Sequence, residues 1–180
     1  LGKRLLFSGY RSYELGIFKE SDPKVAVIKK LLKSVFTGYL EEGYTWLLIT
    51  GNLGSELWGA QVWTALKAEY PEARLALMFP YEGFGEKWNE NNQEILQRIV
   101  FSADFTEPTS HKPYETPQQL KDHDRFMVEH SDSALLLYDR EFEGKPEFLY
   151  QRIENYAADH PYEYRLLSME DLQEAATPQN

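Results

Sequence analysis

Short apolar runs alternate with amphipathic stretches along the whole chain, six times over. The apolar runs lie at 4–9, 46–50, 74–80, 103–106, 133–139 and 163–168, and the run at 133–139 is the plainest buried strand among them. Runs of this length, rich in Leu, Ile and Phe and closed by Gly, Pro or Asp, predict strands covered on both faces. The helical signals fall between them. Ser21-Asp22-Pro23 pairs a capping side chain with proline at the first turn. Val25, Ile28, Leu32, Val35, Phe36 and Tyr39 then recur at spacings of three and four, up to Gly43.

Further helices are expected from about Ser55 to Tyr70 (amphipathic), at 94–100, from Thr116-Pro117 to about His130, at 146–158 and at 169–175. The polar segment 108–117, with three prolines, reads as an ordered loop, and 176–180 as a frayed tail. Strand and helix in strict alternation imply an α/β, three-layer, Rossmann-like fold. Its sheet is mostly parallel, with helices on both faces, in a single domain spanning 1–175. In such sheets ligands bind beyond the carboxyl ends of the strands.

One of those ends stands out. The run Trp46-Leu47-Leu48-Ile49-Thr50 breaks at Gly51, turns through Asn52, Leu53 and Gly54, and enters a helix at Ser55-Glu56. A strand, a glycine turn and a helix N-terminus leave backbone N–H groups pointing outward beside a positive dipole end. The same pattern also serves as a plain tight turn. Arg11, after the first strand, has the bidentate fork that grips phosphate or carboxylate. Glu56 is placed to accept a ribose hydroxyl, to act as acid or base if the protein is an enzyme, or simply to cap the helix. Trp88 beside Asn89 and Asn92 suits stacking on a base or packing on the sheet.

Composition narrows the function classes. With 180 residues, 42% of them hydrophobic, the chain supports a sizeable core, and it has no Cys. This excludes thiolate metal sites and a Cys nucleophile. The four His have no spacing suggestive of a metal set, so no metal is expected and they read as solvated or core residues. A net charge of −10 opposes a nucleic-acid partner. No apolar run approaches the roughly 18 residues of a membrane span, and the start of the chain has no signal-peptide pattern. The expectation is a cytoplasmic protein. The P-loop, the full Gly-x-Gly-x-x-Gly signature and the Gly-x-Ser-x-Gly elbow are all absent.

Phe7-Ser8-Gly9-Tyr10-Arg11 with Glu14-Leu15-Gly16-Ile17-Phe18, Gly51-Asn52-Leu53-Gly54-Ser55-Glu56-Leu57-Trp58, His111-Lys112-Pro113-Tyr114-Glu115-Thr116-Pro117 and Leu135-Leu136-Leu137-Tyr138-Asp139 resemble the YpsA-type proteins of Gram-positive bacteria. That family belongs to the Rossmann-like SLOG superfamily, with the DNA-processing protein DprA and the cytokinin-activating LOG hydrolases. The resemblance implies a binder of nucleotides or nucleotide-derived ligands, with NAD or ADP-ribose favoured. It implies a ligand set of Gly9, Tyr10, Arg11, Gly51, Asn52, Leu53, Gly54, Ser55, Glu56, Trp88 and Arg125. Arg125 enters as the last Arg of a DprA motif whose other positions are not kept. Tyr10 or Trp88 would stack on the base. The Gly-rich Glu loop of the LOG hydrolases is missing from 139–146.

The leading expectation is therefore a nucleotide-binding regulator or sensor, with a small-molecule nucleotide as partner and a homodimer as the expected assembly. The alternatives are a nucleotide hydrolase acting through Glu56, a DprA-like single-strand DNA binder, and a protein-interaction module.

Overall fold

The computed structural model describes residues 2–178. Six strands form one parallel sheet: β1 (Lys3–Gly9), β2 (Tyr44–Ile49), β3 (Arg74–Phe79), β4 (Phe105–Pro108), β5 (Ser133–Leu137) and β6 (Glu163–Leu167), in the order β4-β3-β2-β1-β5-β6. Six helices connect or follow them: α1 (Pro23–Glu41), α2 (Ser55–Ala65), α3 (Glu90–Ser102), α4 (Gln118–Glu129), α5 (Pro146–Asp159) and α6 (Met169–Ala176).

Strand order and the right-handed crossover rule fix the layers. The chain steps outward from β1 to β4, so α1, α2 and α3 lie on one face; α1 packs against α2 and α2 against α3. It then returns through α4 to β5 and steps the other way to β6. This puts α4 and α5 together on the opposite face, while α6 closes beside α1. The order reverses between β1 and β5, where the loops after the two strands part.

The apolar runs are the core: Leu5, Phe7, Leu47, Ile49, Leu75, Leu77 and Leu135 are buried from solvent. Pro108 sits on an edge strand, where a missing N–H is tolerated. Helix α1 begins as its sequence implies, with Asp22 accepting from the Lys24 N–H at 2.9 Å. Gln119 orders the 108–117 loop, accepting from the Glu115 and Thr116 N–H groups and donating to the Ser110 hydroxyl and the Pro113 carbonyl.

Two expectations need correction. The central helix is not amphipathic: Ser55 through Ala60, Val62 and Trp63 are all buried, because α2 is walled by α1, α3 and the sheet. Helix α3 starts at Glu90 rather than 94, capped by Asn89, whose side chain accepts from the Asn92 N–H at 2.9 Å. Its first turn is polar, so apolar spacing does not reveal it. Of the expected tail, Ala176 ends α6, residues 177 and 178 follow without regular structure, and 179 and 180 lie outside the described residues. Among the described residues, no helix is long and apolar enough to cross a membrane.

Candidate functional site

A cleft of about 730 Å³ opens over the carboxyl ends of β1, β2 and β3 and is closed by α4 and the start of α5. Its volume lies in the range of small-molecule sites, and so does its position. Ser8, Thr50, Glu56 and His123 form part of its lining. Tyr81, Phe84, Trp88 and Tyr114 contribute aromatic surface, and their rings touch in sequence: Trp88 on Phe84, Phe84 on Tyr81, Tyr81 on Tyr114. Arg11, Lys121 and Lys145 supply cations, against the carboxylates of Glu56 and Asp124. The lining is thus locally cationic within a chain of charge −10.

The turn after β2 is an anion cradle, and the chain fills it with its own anion. Glu56 reaches back from the first turn of α2. Its Oε1 accepts from the N–H groups of Thr50, Gly51 and Asn52 at 2.9, 2.9 and 3.2 Å. Its Oε2 accepts from the Ser8 hydroxyl at 2.8 Å and the Asn52 side-chain amide at 2.9 Å. Successive N–H groups converging on one oxygen form a nest, which Gly51 at φ 104° permits. A carboxylate offers about four lone-pair sites, so five donors saturate it. Glu56 is 1% exposed.

His123 stands beside this turn. Its Nε2 meets the Thr50 hydroxyl and its Nδ1 the Thr109 hydroxyl, both at 2.8 Å. It thereby ties the end of β2 to the loop after β4. Burial pushes the imidazole down to about 4. One position on, Asp124 faces the cleft, and burial pushes its carboxyl up to about 6, opposed by Arg152 and Arg11 and reinforced by Glu56.

These two shifts give opposite pH dependences. Between pH 6.5 and about 4, only the unfolded chain protonates His123, so its contribution is complete above 6.5 and is lost as pH falls. Between about 6 and 3.8, only the folded chain protonates Asp124, so stability from this group is complete below 3.8 and is lost as pH rises through about 6. Asp124→Asn is therefore expected to be more stable than the parent at pH 7, by about 2 kcal/mol once solvent contact is allowed for. The gain should vanish below pH 4. Urea melts of both proteins across pH 4–7.5 measure it; a difference that stays flat with pH would refute the opposed pair.

The remaining expected site residues divide. Arg11, Asn52, Leu53 and Trp88 line the cleft with Glu56. Arg11 uses one guanidinium N–H on the Gly9 carbonyl at 3.1 Å and keeps others for a ligand. Tyr10 does not enter it: the ring is 2% exposed, and its hydroxyl donates to the Phe142 carbonyl and accepts from the Asp139 N–H, pinning the loop after β5. Gly9, Gly51 and Ser55 are buried behind the cleft; Ser55 bonds the Tyr10 carbonyl through both N–H and hydroxyl. Gly54 packs on the Arg11–Ser12 backbone and borders a smaller groove with Ser12, Trp58 and Asn92.

Arg125 is turned away from the cleft. It lines a separate shallow depression with Asp122 and Glu129 and pairs with Asp122 at 3.4 Å. On α4 the cleft-facing positions are Leu120, Lys121, His123 and Asp124, so Arg125 falls on the next phase of the helix. Asp124 is the residue that faces in. The spacing of Leu120, Asp124 and buried Met127 was the available signal.

Fold and site together define a Rossmann-like α/β protein with a ligand-sized cleft at the carboxyl ends of its strands. The family model described as the YspA SLOG family matches residues 5–172, and the chain belongs to this YpsA family. A UPF0398 protein of Enterococcus faecalis is 48% identical over 171 residues, covering 95% of each chain. UPF0398 proteins of Levilactobacillus brevis and Lactiplantibacillus plantarum are 46% and 48% identical over 173 residues, covering 96% of this chain and 92% of their own.

Proposed function

We propose that the cleft binds a nucleotide or a nucleotide derivative such as NAD or ADP-ribose, and that the protein acts as a sensor or regulator through that binding. One observation carries this reading: a single cleft at the strand ends joins an aromatic wall to a cationic end. A base would lie against Trp88, Phe84, Tyr81 and Tyr114, and phosphate would meet Arg11 and Lys145. The phosphate does not use the N–H groups of Thr50 to Asn52, because Glu56 holds them. The same saturation favours binding over hydrolysis by Glu56, which has no free lone pair for a transferred proton. The acidic chain argues against DNA.

The test is a thermal-shift panel of NAD, ADP-ribose, AMP and ATP. A ligand at 100 times its Kd adds about 2.7 kcal/mol, or about 5–10 °C for a domain of this size. Arg11→Ala is expected to remove the shift while changing the unliganded melting temperature by only about 1–2 °C. No shift with any of the four overturns the reading.

A further inference from the structure

Of the two carboxylates that line the cleft, Glu56 is saturated and Asp124 has its hydrogen-bonding capacity unused. Asp124 lies on the cleft-facing side of α4. Among the described residues its carboxylate makes neither an ion pair nor a hydrogen bond, and the neighbouring charges of Arg152, Arg11 and Glu56 act on it only through space. The other acid of the cleft, Glu56, is held by five donors, His123 is held by two threonines, and Arg11 is engaged in part by Gly9. An ionised carboxylate is acceptor-only, so this position calls for a ligand that brings donors. Ammonium and guanidinium donors are disfavoured, because Arg11, Lys121 and Lys145 already line the cleft.

We propose that Asp124 accepts hydrogen bonds from the vicinal hydroxyls of a ribose, so that the cleft selects ribonucleotides over their deoxy counterparts. This rests on the reading of the cleft as a nucleotide site and deepens it. The layout fits. Aromatic rings come from the loops after β3 and β4, Arg11 and Lys145 from the loops after β1 and β5, and Lys121 from α4 itself. Asp124 senses Arg11 and Glu56 from α4, between the two. A nucleotide has the same order: base, ribose, phosphate. The cost of holding a half-buried, unpaired carboxylate in the unliganded protein is then offset when two neutral hydroxyls donate to it.

The experiment measures calorimetric affinities of AMP, ADP and ATP, each against its 2′,3′-dideoxy form, and of ADP-ribose. Parent, Asp124→Asn and Asp124→Ala proteins are compared, with melting curves as the control for folding. The parent is expected to prefer each bound ribonucleotide about 10- to 100-fold over its dideoxy form, the range set by charge-assisted hydrogen bonds. Asp124→Ala should erase that preference, Asp124→Asn should reduce it, and both should melt at or above the parent temperature. If ADP-ribose alone binds, a loss of tenfold or more in Asp124→Ala supports the proposal and an unchanged affinity overturns it. Equal binding of ribo and dideoxy forms by the parent overturns the proposal and leaves the nucleotide site standing. A preference that survives in Asp124→Ala removes Asp124 from the role. No binding by any probe overturns both readings together.

Discussion

Glu56→Ala is expected to lower the unfolding free energy by about 3–5 kcal/mol, a large part of the 5–15 kcal/mol available to a domain. The substitution strands three backbone N–H groups in the turn after β2, together with the Ser8 hydroxyl and the Asn52 amide, all now satisfied by one carboxylate. Each buried donor left without a partner costs about 1–3 kcal/mol, and water entering from the cleft recovers part of it. Glu56→Gln should cost less, about 2 kcal/mol. Its oxygen can keep the three N–H bonds, but its amide nitrogen then faces the Asn52 amide, donor against donor. Guanidinium melts of the three proteins give the order parent, Gln, Ala. An Ala variant within about 0.5 kcal/mol of the parent would refute the structural role. The expected result also governs the interpretation of any lost function: a Glu56 variant that fails to bind has first lost the shape of the turn.

That turn marks where sequence reasoning reached and where it stopped. The strands at 46–50 and 133–139 were legible because a strand buried on both faces must be apolar throughout, and Asp22-Pro23 was legible because capping is local chemistry. The anion cradle was legible as well: glycine at 51 and a helix start at 55 create one. What fills it was not, because that depends on a side chain four to six residues away folding back over the turn, with Ser8 arriving from another strand. Arg125 was misplaced for a related reason. Its neighbour Asp124 differs from it by one residue, about 100° of helix, and only the packing of α4 says which of the two faces in. Tyr10 was expected from the resemblance to stack on a base; the carbonyl that takes its hydroxyl belongs to Phe142, 132 residues away. Local patterns pointed to the strand ends, and long-range contacts decide which side chains face the cleft there.

Gly54→Ala is expected to cost about 4 kcal/mol or to prevent folding, without Gly54 touching any ligand. Two independent penalties combine. The backbone holds φ 98° and ψ −128°, a region that residues with a Cβ rarely adopt. A Cβ there would also sit 2.4 Å from the Ser12 nitrogen and 2.8 Å from the Tyr10 carbonyl oxygen. Both are backbone atoms, so no rotamer change relieves the overlap. The 10–12 segment must move, and it carries Arg11 toward the cleft and Tyr10 toward the loop after β5. Loss of the nucleotide binding proposed for the cleft is therefore expected in Gly54→Ala as a consequence of displaced Arg11. Arg11→Ala distinguishes the two causes, because it removes the guanidinium and leaves the turn intact. If Gly54→Ala melts within about 2 °C of the parent yet loses ligand, the close packing is wrong and the turn itself contacts the ligand. If it melts far below the parent while Arg11→Ala melts near it and both fail to bind, the glycine serves the fold and the arginine serves the site.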